Sequence, residues 1–208
     1  MVGTERRKRL DAAARRETIL TAAIPEFATA GYDRTRVSDI AAQVGVTEPV
    51  VFQNFGTKSG LFVAVLDRVS EEVVRYLAVL DEQSSDVAEL LSALLAHELQ
   101  DRIHSRGGLG MIFVEAANNI DASIREAGRR AHARTLQAVA ELLRRGQTEG
   151  SIRDDVDAVT LGWLVLSQIH ARQFRRAHTD TSPTLEHAML DSLLAALRPP
   201  PTRSSSEA

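Results

Sequence analysis

Residues 36–55 read RVSDIAAQVGVTEPVVFQNF, and within them Thr47, Glu48, Pro49, Val50, Gln53 and Asn54 fall on the outward side of a short helical segment. Gln53 and Asn54 carry amides that pair with base edges, and Val50 suits a thymine methyl, so this is chemistry for the major groove of a duplex. The face itself lacks cations. Positive charge must come from Lys58 at the start of the next helix, from Arg34 and Arg36 where the preceding one begins, with neutral Thr35 between them as a further candidate contact, and from Arg6, Arg7, Lys8 and Arg9. Those four form an arm suited to the phosphate backbone or the minor groove.

Two short helices meeting at a tight turn would position these groups. Val37, Ile40, Ala41 and Val44 give the first an inward face, with Thr35 expected as its N-cap and Asp39 in its first turn, where a negative charge favours the helix dipole. Gly45 can take the positive φ that ends it. Thr47 then caps the second helix, Glu48 and Pro49 occupy first-turn positions where proline costs little, and Val51, Phe52 and Phe55 return to the core. The pattern is a helix-turn-helix, whose second helix enters the major groove.

The chain has 208 residues, 25 Lys plus Arg against 28 Asp plus Glu, and no Cys. Disulfides, thiolate metal sites and a cysteine nucleophile are thereby excluded. The formal net charge of −3 argues against a polyanionic partner only as an average. Residues 1–60 hold nine basic and seven acidic side chains, and the remaining 148 hold 16 and 21. The acid excess belongs to the C-terminal part. No apolar run is long enough to span a membrane and no apolar signal core follows the N-terminal charges, so a cytoplasmic protein is expected.

Periodicity is helical throughout, which predicts an all-α fold of about nine helices. Breaks fall at Gly31, Gly45, Gly56, Ser84–Ser85, Ser105–Gly108, Asn118–Asn119, Gly150 and Thr179–Pro183. The expected organisation is a basic arm over 1–14, a three-helix DNA-binding domain over 15–60, a helical body over 61–198 and a disordered tail over 199–208. Pro25 is a possible kink in the first helix. In the body, Asp86 opens a helix running to Ile103, another runs from Asp121 to Gly150, and the last two span about 155–175 and 184–197. His97 and His104 share a helix face without an evident third ligand, so no metal or cofactor is expected. No phosphate-cradling glycine loop and no nucleophile with a base at recognisable spacing is present, which argues against an enzyme.

From Arg16 to Phe62 the chain resembles the DNA-binding domain of the TetR family of bacterial transcriptional regulators. The resemblance rests on Ile19, Leu20, Ala22, Ala23, Phe27 and Gly31-Tyr32, on Val37 with Asp39-Ile40-Ala41, on Gly45-Val46-Thr47, and on Phe55, Lys58, Leu61 and Phe62. Phe52 and Asn54 stand where the family usually has tyrosine and, two residues later, histidine. Phe52 keeps the packing but loses the hydroxyl that commonly holds a phosphate. The resemblance implies a repressor that binds a near-palindromic operator in double-stranded DNA as a homodimer. It also implies a small-molecule effector in the C-terminal body. The last two helices would form the dimer interface, with Val159, Leu166, Ile169, Leu185, Met189, Leu193 and Leu197 as candidates for either that interface or the monomer core. Phe113, Asn118, Trp163, Ser167, His170 and Phe174 are candidate effector-pocket residues, the last four being spaced to share one helix face, or else ordinary core and surface. The alternative is a helical small-molecule-binding module that has lost its DNA.

Overall fold

A computed structural model describes residues 2–96, 109–178 and 182–200. The described residues form nine helices and no strand: α1 (Val2–Arg34), α2 (Val37–Gln43), α3 (Glu48–Phe55), α4 (Lys58–Gln83), α5 (Val87–Leu95), α6 (Leu109–Asn118), α7 (Ala122–Glu149), α8 (Ala158–His178) and α9 (Pro183–Leu197). The all-α expectation holds. They belong to two compact units, one of residues 1–72 with 103–133 and one of residues 73–102 with 134–208. The reading-head unit therefore includes α6 and the start of α7, which the sequence-based boundary at residue 60 assigns to the body.

In the first unit, Ile19, Ala23 and Phe27 of α1, Ile40 and Ala41 of α2, Val51 of α3 and Leu61, Phe62, Val65 and Leu66 of α4 are all buried, and they share one core with Ile112 and Ala116 of α6 and Ile124 of α7. Phe27, Tyr32 and Phe62 form an aromatic cluster, with ring centroids 4.8 Å apart for Phe27–Phe62 and 5.2 Å for Tyr32–Phe62. The break in α1 falls at Gly31 (φ 80°, ψ 170°) and not at Pro25. Only glycine enters that backbone region readily.

α1 starts at Val2, so Arg6, Arg7, Lys8 and Arg9 lie along its first turns and not on a separate arm. Arg68 ties α4 to α1 through Glu17 at 2.7 Å and also pairs with Glu72 at 2.6 Å.

The second unit buries Val87 and Leu91 of α5, Leu143 of α7, Ile152 in the turn after α7, Leu161 and Val165 of α8, and Leu193 and Leu197 of α9. Asp86 caps α5, accepting the N–H groups of Ala88 at 2.7 Å and Glu89 at 3.1 Å. Gly150 ends α7 with φ 78°. Arg145 binds Asp81 at 2.6 Å, the Ser84 carbonyl at 3.2 Å and Glu149 at 2.7 Å, fixing the end of α4 against α7. α8 begins at Ala158 behind Asp157, three residues later than the pattern suggests, because the Asp157 carboxylate takes the N–H groups of Val159 and Thr160. The Thr160 hydroxyl also donates to this carboxylate and holds it below the ordinary range. α5 ends at Leu95, and Leu99, Ile103, His97 and His104 lie outside the described residues, as does the tail beyond Pro200.

No described helix is long and apolar enough to cross a membrane. Among the described residues no group of three or more His, Asp or Glu is placed to hold a metal ion.

Candidate nucleic-acid interface

The turn between α2 and α3 forms as its residues dictate. Gly45 has φ 70°, and the N–H of Val46 returns to the Ala41 carbonyl at 3.0 Å, closing the end of α2. Val46 and Val44 then pack against the core from the turn. Thr47 is the N-cap of α3 in extended geometry, with Pro49 in the first turn. Its side chain makes no capping bond, so the Thr47 hydroxyl stays on the surface. Val51 and Phe55 are buried, which turns Thr47, Glu48, Pro49 and Gln53 outward as exposed residues, with Val50, Phe52 and Asn54 half-buried. Of the six residues expected to face outward, Thr47, Glu48, Pro49 and Gln53 are the exposed ones.

Two predicted residues, Thr35 and Asn54, make contacts other than the expected ones, and Lys58 and Phe52 make contacts within the fold. Thr35 is not the cap of α2; Arg36 holds that position, and Thr35 is 3% exposed. Its hydroxyl donates to the Gly31 carbonyl at 2.7 Å, so it closes the kinked end of α1 and offers nothing to DNA. The same carbonyl also takes the Thr35 N–H at 3.2 Å, so backbone and hydroxyl of Thr35 both close on it. Asn54 donates its amide to the Val50 carbonyl of its own helix at 2.7 Å. Lys58 donates to the Asp33 carbonyl at 3.1 Å and lies 4.7 Å from the centroid of the Tyr32 ring. Its charge sits, half-buried, where the end of α1 meets the start of α4. Phe52 packs against the core, as the absence of a hydroxyl allows.

Three positioning features escape a reading of the sequence. A Cβ on Gly60 would lie 2.1 Å from the Phe55 carbonyl oxygen, so only glycine lets α4 start against the end of α3. Glu115 of α6 accepts the Tyr32 N–H at 2.6 Å, and a Cβ on Gly31 would meet the same carboxylate at 2.8 Å. Arg16 of α1 donates to the Asn54 carbonyl at 2.7 Å. The last two join residues distant in sequence, which no local pattern reveals.

The predicted effector residues divide between the units. Phe113 packs against the first core, and Asn118, exposed, donates its amide to the Val114 carbonyl at 2.9 Å. Trp163, Ser167, His170 and Phe174 do share one face of α8, but it is the outer face of the second unit: Trp163 is 49% and Phe174 64% exposed. The spacing predicts the face correctly and leaves open what it meets. A cavity lies on the other side of α8, lined by Leu95, Gln168, Ile169, Arg172, Glu186, His187 and Leu190. There Arg175 grips Glu186 through two bonds of 2.9 and 2.8 Å, and the Arg172 Nε lies 3.6 Å from the same carboxylate.

The family of bacterial regulatory proteins described as the tetR family matches residues 19–65, the stretch from the buried face of α1 to the first turns of α4. A transcriptional repressor of Corynebacterium jeikeium, AcnR, is 28% identical across 91% of this chain and 95% of its own. The stretch shared with the tetR family is the helix-turn-helix head of this chain. A second TetR-like relative by sequence, the transcriptional activator FasR of Mycolicibacterium smegmatis, is 31% identical over 53% of this chain, and the match spans 51% of FasR. The solved structure of the regulator FadR from Bacillus subtilis, in complex with stearoyl-CoA, shares the fold with a TM-score of 0.66 at 16% identity, covering 88% of this chain and 99% of that one. The TetR likeness thus rests on residues 19–65, where the sequence match and the packed helix-turn-helix coincide.

Proposed function

We propose that the protein is a homodimeric transcriptional repressor whose α3 reads a near-palindromic operator and whose affinity for DNA responds to a small molecule bound in the second unit. The observation that carries this reading is the outward set Thr47, Glu48, Pro49 and Gln53 on a helix anchored by buried Val51 and Phe55. It is a rigid surface of the right size for a major groove, presented by its N-terminal residues. Repression needs only occupancy of a promoter, and the relative matched over nearly its whole length is named a repressor.

The apolar outer face of α8 and α9 supports a dimer. Val159, Trp163 and Leu164 on α8, with Leu185 and Met189 on α9, are each at least 36% exposed. Such a patch is characteristic of an interface. From the candidate set, Leu166, Leu193 and Leu197 are instead buried within the protomer, and Ile169 packs against its core. Trp163 therefore passes from the expected pocket wall to the proposed interface. The effector is assigned to the second unit, with the cavity beside Glu186 as its starting point. FadR carries an acyl-CoA in its solved complex, which supports a ligand-bearing body in the fold without naming the effector of this chain.

Footprinting tests the reading. Two protected half-sites centred about one helical turn apart, or a multiple of it, are expected, with one dimer per site. A protein that protects no duplex while still binding small molecules would instead support the alternative, a ligand-binding module without DNA. The turn of the Asn54 amide onto its own helix and the scarcity of cations on α3 are the features that favour it.

A further inference from the structure

The last turn of the reading helix is held by a cation from another helix. Arg16 of α1 directs Nη1 to the Asn54 carbonyl at 2.7 Å, while its guanidinium carbon stands 4.2 Å from the centroid of the Phe55 ring. α3 has only eight residues, and the last carbonyls of any helix lack partners within it. Two are met locally: the Phe52 carbonyl takes the Gly56 N–H at 2.7 Å and the Phe55 carbonyl takes the Thr57 N–H at 2.9 Å. The Asn54 carbonyl is met from 38 residues away. A positive charge there also opposes the negative end of the helix dipole.

We propose that Arg16 is a positioning residue for base reading, setting the direction in which α3 presents Gln53. This rests on the DNA-binding reading of α3 given above. The guanidinium suits the task because its flat face covers an aromatic ring while one edge donates to the carbonyl, a double contact that an ammonium makes less well. On the far side the end of α3 lies against Gly60, where a Cβ would come within 2.1 Å of the Phe55 carbonyl. The end of α3 is thus confined between α1 and α4. Its middle is anchored separately by Val51 in the core, so removing Arg16 leaves the fold in place and frees the end of the helix to swing.

The test compares wild type, Arg16→Met and Arg16→Lys on two duplexes of equal length, one selected by the wild-type protein from a randomised library and one scrambled, across a range of salt. Arg16→Met should lose about ten-fold or more in affinity for the selected duplex, the scale set by one charge-assisted hydrogen bond, with little change on the scrambled one. Its midpoint of thermal unfolding should move little, and the dependence of log affinity on log salt should be unchanged. Arg16→Lys should recover part of the loss. Equal losses on both duplexes with a salt slope shallower by about one unit would make Arg16 a phosphate contact and overturn the proposal. Unchanged preference in both variants would overturn it too. Should Arg16→Met fail to fold, Arg16→Lys carries the same comparison alone. A wild-type protein that selects no duplex overturns the DNA reading itself, a result distinct from any change between variants.

Discussion

Gly31 and Gly60 are the residues on which the geometry of the reading head turns, and they differ in how much of their role the sequence discloses. Gly31 follows an apolar helical run and reads as a break. Its φ of 80° confirms the reason, but the carboxylate of Glu115 waiting 2.8 Å from a Cβ there is invisible until the chain is folded. Gly60 sits inside a helical pattern and reads as nothing, because what it admits is the carbonyl of Phe55. Gly60→Ala should therefore destabilise the protein by roughly 1–3 kcal/mol despite alanine's better helix propensity, since the obstacle is backbone and not a yielding side chain. Thermal unfolding checks this, and an unchanged midpoint would contradict the close approach. Gly31→Ala should cost on the order of 1–3 kcal/mol through backbone strain alone. Glu115→Gln, which keeps an acceptor for the Tyr32 N–H, should cost less than Glu115→Ala, which leaves that half-buried donor without its carboxylate. Urea unfolding of the three variants gives the order directly.

At the scale of elements, periodicity and capping chemistry place the helices well and their surroundings poorly. Asp86, Gly45, Thr47 and Gly150 mark boundaries where the structure has them, because each acts on its own neighbours. Thr35 fails as a cap because its hydroxyl donates back to the Gly31 carbonyl at the end of α1, and Arg36 takes the cap position of α2. The face of α8 carrying Trp163, Ser167, His170 and Phe174 is legible as a face and illegible as a destination, since a 3.6-residue period is the same whether it lines a pocket or an outer surface. For α3 the assignment yields a contrast. Gln53→Ala should cost roughly 1–3 kcal/mol on the preferred duplex and relax base preference. Lys58→Ala should weaken all duplexes alike and lessen the salt dependence, as removal of a phosphate contact does. Fluorescence anisotropy on matched and mismatched duplexes separates the two. Similar sequence-independent losses from both changes would mean that α3 does not read bases.

For the molecule as a whole, the charge count anticipates the division of labour. The mild positive balance lies in residues 1–60, which carry α1 to α3, and the acid excess lies in residues 61–208. Dimerisation would double the cationic groups available to one duplex and place two copies of a short reading helix on it, which is how so modest a charge can serve DNA. If the outer face of α8 and α9 is the dimer contact, Trp163→Glu should shift the protein to monomer in sedimentation and weaken operator binding far more than it alters protomer folding. A dimer that survives Trp163→Glu together with Leu185→Glu would relocate the interface.

The central claim is sequence-specific recognition by α3, and its most direct measurement is the affinity of the intact protein for its library-selected duplex against a scrambled duplex at several salt concentrations. The account predicts a preference of at least about 10³ for the selected duplex, with affinity for both falling steeply as salt rises. Equal affinity for the two duplexes at every salt concentration would contradict it.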